Sequence, residues 1–544
     1  MTVSSMMDVP LTLDAIANRA ERWMGKVEVV WRKPDRSIAR TTYAQVIARA
    51  RRLARALVSS GIQRGDRVAT LMWNHAAHLE AYFGIPLAGA ALHTLNLRLH
   101  PDEIAYIAND GHDRVVIVDD ILLPLLAKVI AAGAKFERVI VVGDDADALR
   151  GGSEIGAVEA YEAVLAAAPD DTSLPVLAET DALGTCYTSG TTGKPKGVVY
   201  THRSTLLHTL AIALPDSLSL SRADTLLPVV PMFHVNAWGL PYGAAMTGAK
   251  LVMPGPFLDA PSVLDLISNE RVTIAAGVPT IWIGIRDALD APGARERWPL
   301  QPGLRMVVGG AAPPEQLIRD FDRLGMELVH AWGMTETSPL GLVSRVPPDV
   351  AADDDEQRYF IRAKQGLPPP FVEIRVRNEL GDVPRDDKTT GEVLIQGPWI
   401  AASYVGGHTP ERWTEDGYFR TGDVGRMCPR GYVQLVDRIA DMIKSGGEWI
   451  ASAELETYLM GHPAVKEAAV IGVAHPKWGE RPLAAVVLRA GLTATADELR
   501  AFLGAKFAKF WVPDAIVFVD AIPRTSAGKF LKTALREQYR NHAW

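Results

Sequence analysis

The sequence predicts an α/β protein with three parts: a large N-terminal domain of parallel and mixed sheets with packed helices, a small β-rich subdomain, and a compact C-terminal α/β unit. Three observations carry this. Apolar β-rich runs alternate with amphipathic helical runs, the order expected of a parallel sheet built from strand and helix units. Beyond Val372, short strands separated by Gly, Pro and Asp turns take over. At 544 residues and 48% hydrophobic, the chain has enough apolar surface for more than one core.

Thr41 and Thr42 can cap a helix whose apolar positions Val46, Ile47, Leu53, Ala54 and Leu57 recur at helical spacing before Gly61 stops it. Arg49, Arg51, Arg52 and Arg55 then fall on its solvated side. Arg67 to Trp73 reads as a strand, His78 to Leu87 as a helix, and Arg114 to Val118 and Arg138 to Val142 as strands. The alternation continues in Lys250 to Met253, Val272 to Ala276 and Leu304 to Val308. The last of these runs into Gly309-Gly310-Ala311-Ala312-Pro313 and a helix through Leu317. A strand, a glycine turn and a helix start place backbone amides at a sheet's C-terminal edge, where α/β proteins usually hold ligands. Residues 347 to 357 read as a polar acidic loop. Val372 to Val376, Gly391 to Gln396 and Tyr432 to Val436 are the strands of the β-rich subdomain. Ala453 to Leu459, Val465 to Val473, Leu483 to Leu488 and Ala496 to Phe507 form the last unit, giving domains 1–436 and 437–544.

Composition excludes several classes. No run approaches the ~18 to 20 apolar residues of a membrane helix, and MTVSSMMDVPLTLDAI lacks a basic stretch leading into an apolar core. The C-terminal NHAW carries no peroxisomal or lipidation signal, so a cytoplasmic location is expected. Cys186 and Cys428 are too few for a disulfide framework or a cysteine metal site, and read as small buried hydrophobes. The net charge of −7 argues against nucleic acid and for small partners. Residues 501–544 nevertheless hold seven Lys/Arg against three acids, a local excess that suits polyphosphates. A solvated helix face accounts equally well for Lys532, Arg536 and Arg540.

The most informative segment is YTSGTTGKPKG, 187 to 197, directly after the apolar stretch Leu183 to Tyr187. Thr188, Ser189, Gly190, Thr191, Thr192 and Gly193 offer hydroxyls and backbone N–H groups with few Cβ atoms to block approach, while Lys194 and Lys196 supply charge. Such a loop suits a triphosphate. It is not the common P-loop: Gly193-Lys194 is followed by Pro195, and no Gly stands five positions before Gly193. A flexible surface loop would explain GTTG alone, but not the lysines and preceding strand.

TSGTTGKPKG resembles the phosphate loop of the adenylate-forming superfamily of acyl-CoA synthetases, luciferases and peptide-synthetase adenylation domains. The resemblance continues, in order, through WGMTE (332–336), YFRTGD (418–423), DRIADMIKSGGEWI (437–450) and PRTSAGK (523–529). VVPMFHVNAWGLPY, 229–242, looks most like bacterial medium- and long-chain fatty acyl-CoA synthetases and their relatives acting on methylthiopropionate.

The resemblance implies a hinge at 437–442 and a mobile C-terminal domain. It places Lys529 at the substrate carboxylate and α-phosphate, Thr335 beside that phosphate, and Glu336 with Thr188 on Mg²⁺. Gly309, Gly310 and Ala311 would line the adenine and Trp332 would present a flat face to it, with His330, Ala331 and Gly333 around that surface. Asp423 and Arg438 would hold the ribose. SGGEWI, with Lys444, Gly446, Gly447 and Trp449, would shape the pantetheine tunnel for CoA. His234 would orient the carboxylate or assist the thiol, or else be a satisfied core histidine. Val235, Trp238 and Gly310 would meet the acyl chain, with Trp238 as a gate or as plain packing. Two positions depart from the family: Trp332 stands where many relatives have Tyr, and Ala440 where Asp or Lys is common.

The reading is therefore an ATP-dependent ligase that joins a medium- to long-chain fatty acid to AMP, releases pyrophosphate, and passes the acyl group to CoA. A homodimer is expected from bacterial relatives. A short acid such as 3-methylthiopropionate, a free-standing enzyme that loads a carrier protein, and a nucleotide-binding regulator or hydrolase are the alternatives.

Overall fold

The computed structural model describes residues 5–143, 157–188, 194–350, 352–446, 448–524 and 530–544. Ser189, Gly190, Thr191, Thr192, Gly193, Gly447 and Lys529 lie outside the described residues.

Two large sheets dominate the N-terminal region. One runs Leu340–Val343, Glu327–Gly333, Arg305–Val308, Ile274–Gly277, Thr225–Pro228, Lys250–Met253, Glu28–Arg32, Ile38–Thr42, parallel except at its two edge strands. The other runs Ala157–Ala160, Arg138–Val142, Asp113–Asp119, Arg67–Leu71, Ala91–Thr94, Ala182–Tyr187, Gly197–Thr201, antiparallel only at its last pair. The central strands are buried on both faces, which is why they read as unbroken apolar runs rather than alternating ones.

The largest core joins Val68, Leu92 and Val115 of one sheet to Val29, Leu226 and Ile274 of the other through helices carrying Leu53, Phe83 and Tyr242. Helix Ala76–Leu87 is buried almost all round, consistent with its nearly unbroken apolar sequence. Helix Tyr43–Ser59 begins at Thr42 with a reciprocal capping box to Gln45, and Gly61 follows its end with φ +89°. Its Arg49 is not merely solvated: Nε donates to buried Glu80 Oε1 at 2.7 Å, and Tyr161 Oη donates to the other oxygen at 2.9 Å. The 347–357 stretch also departs from expectation, because Asp354 caps a helix over Asp355–Arg362.

A five-stranded antiparallel sheet over residues 373–438 forms the β-rich subdomain. Residues 443–518 form another sheet with its own cores, one around Leu455, Val470 and Leu499 and another around Ile471, Leu483 and Leu535. Lys532 and Arg536 are not a solvated face. Lys532 is only 10% exposed in its side chain, with Nζ 2.7 Å from Glu456 Oε1, and Arg536 pairs with Asp441 at 2.7 Å. Asp437 accepts from the Ser452 hydroxyl at 2.6 Å and so fastens the end of the β-rich sheet to the start of helix Ser452–Leu459.

Four histidines are held neutral by burial: His78 and His208 are pushed down to about 3, His202 and His330 to about 4. Geometry agrees, since Leu13 N–H donates to His202 Nδ1 and Leu340 N–H donates to His208 Nε2, which a protonated ring could not accept. Because the folded-state values lie below the unfolded one, this stabilisation is fully present above about pH 6.5 and is lost as pH falls toward 4, by up to about 1.4 kcal/mol per histidine per unit. Urea unfolding at pH 7.5, 6.5 and 5.5 is expected to show a falling midpoint; an unchanged midpoint would contradict the assignment.

Candidate active site

The two predicted ligand loops meet where the sheets end. Arg305–Val308 delivers Gly309 and Gly310, the latter at φ +84°, a conformation that favours glycine. The neighbouring strand Glu327–Gly333 leads to a short turn, Thr335–Thr337. Between them and the loop strands lies a cavity of about 410 Å³.

Its wall divides by chemistry. Thr188, Lys194, Lys196, Thr335, Glu336 and Arg438 are polar; Ile212, Leu218, Val235, Trp238, Val307 and Leu340 are apolar, with His208 and His234 among them. On the polar side, Thr188 N–H donates to Lys196 O at 3.0 Å while Lys196 N–H donates to Thr188 Oγ1 at 3.1 Å, closing the base of the phosphate-type loop. Lys196 Nζ reaches Thr409 Oγ1 at 3.3 Å. Glu336 is buried and accepts from Tyr404 Oη at 2.5 Å through Oε1, while Tyr200 Oη holds the Thr335 carbonyl at 2.8 Å. Tyr404 and Arg412 also line the cavity, although neither stands in a recognisable motif. They come from the loops linking strands of the β-rich sheet, so only the tertiary fold brings them to Glu336.

Asp423 and Arg438 face each other across paired strands, with Arg438 Nε 3.2 Å from Asp423 Oδ1. Trp332 Nε1 donates to Asp423 Oδ2 at 3.1 Å. The indole therefore does more than offer a flat face: it orients the carboxylate. Trp332→Phe is expected to raise KM for ATP about three- to ten-fold with little change in kcat, the scale of one hydrogen bond. An unchanged KM would contradict it.

The apolar side is built on an unusual turn. Val235, Asn236, Ala237, Trp238 and Gly239 all have positive φ, between 46° and 71°. A left-handed turn costs non-glycine residues roughly 1–2 kcal/mol each, and such strain persists only where the surroundings enforce it. Here Cys186 Sγ lies 3.4 Å from Asn236 Oδ1, and Gly239 N–H donates to Asn236 O at 3.0 Å. The turn sets Trp238 against Gly309, where an added Cβ would meet indole Cη2 at 3.1 Å.

Gly309, Gly310, Ala331, Trp332 and Gly333 all reach the cavity, as does Ala440. His330 does not: it is buried behind the strand. Ala311 turns instead to a second cavity of about 270 Å³, shared with Met460, Lys466, Arg524 and Phe530 of the C-terminal unit. Lys444, Gly446 and Trp449 also stand away from the site. They lie on a hairpin where Lys444 Nζ sits 5.4 Å from the Trp449 ring and Gly446 N–H donates to Trp478 O, and Trp449 is 53% exposed.

A polar wall joined to an apolar one in one cavity fits an enzyme that activates carboxylic acids, and the family assignment agrees. Residues 16–405 match the AMP-binding enzyme model and residues 454–529 match the AMP-binding enzyme C-terminal domain. The chain belongs to the AMP-binding enzyme family, the adenylate-forming enzymes. It is 49% identical over 543 residues to the long-chain-fatty-acid–CoA ligase of Thermus thermophilus, spanning 99% of this chain and 97% of that protein. It is 42% identical to the 3-methylmercaptopropionyl-CoA ligase of Ruegeria lacuscaerulensis, over 99% of both chains. The solved structure of the anthranilate CoA ligase AuaEII in complex with anthranoyl-AMP superposes with a TM-score of 0.83 at 25% identity, over 98% of each chain.

Proposed function

We propose that this protein is an ATP-dependent acyl-CoA synthetase that activates a medium- to long-chain fatty acid as acyl-AMP and transfers it to CoA, with release of pyrophosphate and then AMP. The observation that carries the reading is the single cavity in which Thr188, Lys196, Thr335 and Glu336 share a wall with Trp238, Ile212 and Leu340.

A fatty carboxylate is ionised at pH 7, so its attack on the α-phosphorus of ATP needs no general base. It needs alignment and relief of charge on the phosphates. In the proposed site Lys196 and the 189–193 loop hold the triphosphate, Asp423 and Arg438 hold the ribose, and Trp332 with Gly309 and Gly310 receives the adenine. Thr335 and His234 stand on the same cavity wall, where they would position the α-phosphate and the carboxylate.

Glu336 and Thr188 offer hard oxygen donors that fit Mg²⁺. An ion that arrives on the triphosphate needs only one carboxylate from the protein. Bound there, Mg²⁺ would neutralise phosphate charge. Tyr404, by donating to Oε1 of Glu336, fixes the orientation of that carboxylate.

Arg524 and Phe530 of the C-terminal unit share a cavity with Gly310, Ala311 and Pro314 of the large domain. That arrangement supports an adenylation pose, in which Lys529 would serve the reacting groups while the Lys444–Trp449 hairpin is held away. In the second half-reaction, rotation about 437–442 would bring Lys444, Gly446, Gly447 and Trp449 to the site for CoA. The thiol sulfur then bonds to the acyl carbonyl carbon as the bond to AMP breaks. Cytoplasmic residence and a homodimer complete the reading; among the described residues no helix is long and apolar enough to cross a membrane.

The Ruegeria relative favours one second reading, a short sulfur-containing acid such as 3-methylthiopropionate. Incubation with Mg²⁺, ATP and a panel of acids tests both. The account expects acid-dependent pyrophosphate, CoA-dependent AMP, and kcat/KM highest for medium and long chains. Highest kcat/KM for 3-methylthiopropionate would favour the second reading, and phosphate release without any acid would overturn both.

A further inference from the structure

His208 stands on the apolar wall of the cavity, one helical turn from Ile212 on helix His202–Ala213. It is only 1% exposed, and burial keeps its imidazole neutral. Its Nε2 accepts a hydrogen bond from Leu340 N–H at 3.2 Å. A neutral ring that accepts at Nε2 must carry its proton on Nδ1. Among the described residues nothing accepts a hydrogen bond from Nδ1. The Nδ1 edge of the ring lies against Gly239, where an added Cβ would fall 2.9 Å from Nδ1, so a side chain there would cover the nitrogen, while the ring itself lines the cavity.

An N–H donor facing an apolar binding wall has a chemical consequence. A plain alkyl chain laid over it strips its water and returns no hydrogen bond, whereas a chain with an acceptor at that depth satisfies it. We infer that His208 is a specificity-determining residue whose Nδ1–H selects acids carrying an oxygen acceptor within the tail: an ether, keto or hydroxyl oxygen. The inference rests on the acyl-CoA synthetase reading and adds a substrate class to it. A fatty acid functionalised partway along its chain is recognised at both ends, by the nucleotide side at its carboxylate and by His208 at its acceptor.

The test uses isosteric acids in which one methylene of decanoate is replaced by oxygen, position by position, with kcat/KM for each divided by that for decanoate in the same enzyme. The wild-type profile is expected to show one position at least about ten-fold above its neighbours, the discrimination of about 1.4 kcal/mol that one satisfied donor supplies. His208→Met is the informative variant, because its thioether can still accept weakly from Leu340 N–H while no N–H donor remains. His208→Leu removes both. The peak is expected to vanish in His208→Met as in His208→Leu. A flat wild-type profile, or a peak that survives in both variants, would overturn the inference. Failure of every acid, decanoate included, to support AMP release in the wild type would instead overturn the synthetase reading.

Discussion

Lys529→Ala is expected to slow acyl-AMP formation by about 10²–10³, the usual effect of deleting a charged group aimed at developing transition-state charge. Thioester formation from supplied acyl-AMP and CoA should stay within a few-fold of wild type. The asymmetry follows from the chemistry. In the first half-reaction negative charge gathers on the α-phosphate oxygens and on departing pyrophosphate, and Lys529 is the charge proposed to meet it. In the second half-reaction, on the proposed rotation about 437–442, Lys529 would leave with the small domain. Rapid quench with radiolabelled ATP, beside a separate assay started from synthetic acyl-AMP, measures the two steps. Equal losses in both would remove Lys529 from its role.

Glu336→Gln is the second large effect. The amide keeps the shape of the side chain and can still accept from Tyr404 Oη, now 2.5 Å away. It removes the only charge that the Thr335–Thr337 turn brings to the wall. Adenylation is expected to fall about 10²–10³-fold, and the Mg²⁺ concentration for half-maximal rate to rise. Tyr404→Phe should show a milder version, because the carboxylate stays and only its orientation loosens. A Glu336→Gln enzyme with wild-type Mg²⁺ dependence would show that the carboxylate serves packing alone.

The fold was legible where burial writes a simple pattern. Doubly buried parallel strands such as Arg138–Val142 and Lys250–Met253 are short apolar runs, and helix Tyr43–Ser59 carries both its cap and its stop in the sequence. What escaped depends on residues far apart in the chain. The Trp332 to Asp423 hydrogen bond spans 91 positions, and Tyr404 reaches Glu336 across 68. No local spacing encodes either.

Lys532 misleads for a different reason. Helical periodicity shows which residues share a face, but a charged face reads as solvated unless the partner, here Glu456 from another helix, is known. The left-handed turn at Val235 to Trp238 gives almost no local signal, since only Asn236 and the following Gly239 belong to residue types that tolerate positive φ. Its conformation is imposed by the surrounding wall. The motifs were more readable than the geometry because phosphate loops and glycine turns announce their backbone requirements in residue type. Lys444, Gly446 and Trp449 show the limit of that legibility: a motif names a segment, while the fold decides whether it stands at the site.

The central claim is that a carboxylate oxygen bonds to the α-phosphorus of ATP within this cavity. Its most direct test is oxygen transfer. With a fatty acid labelled with ¹⁸O in both carboxylate oxygens, Mg²⁺, ATP and CoA, the AMP released should carry one ¹⁸O, retained when the thiol displaces the acyl carbon. AMP without label, or label found in phosphate or pyrophosphate, would contradict the account.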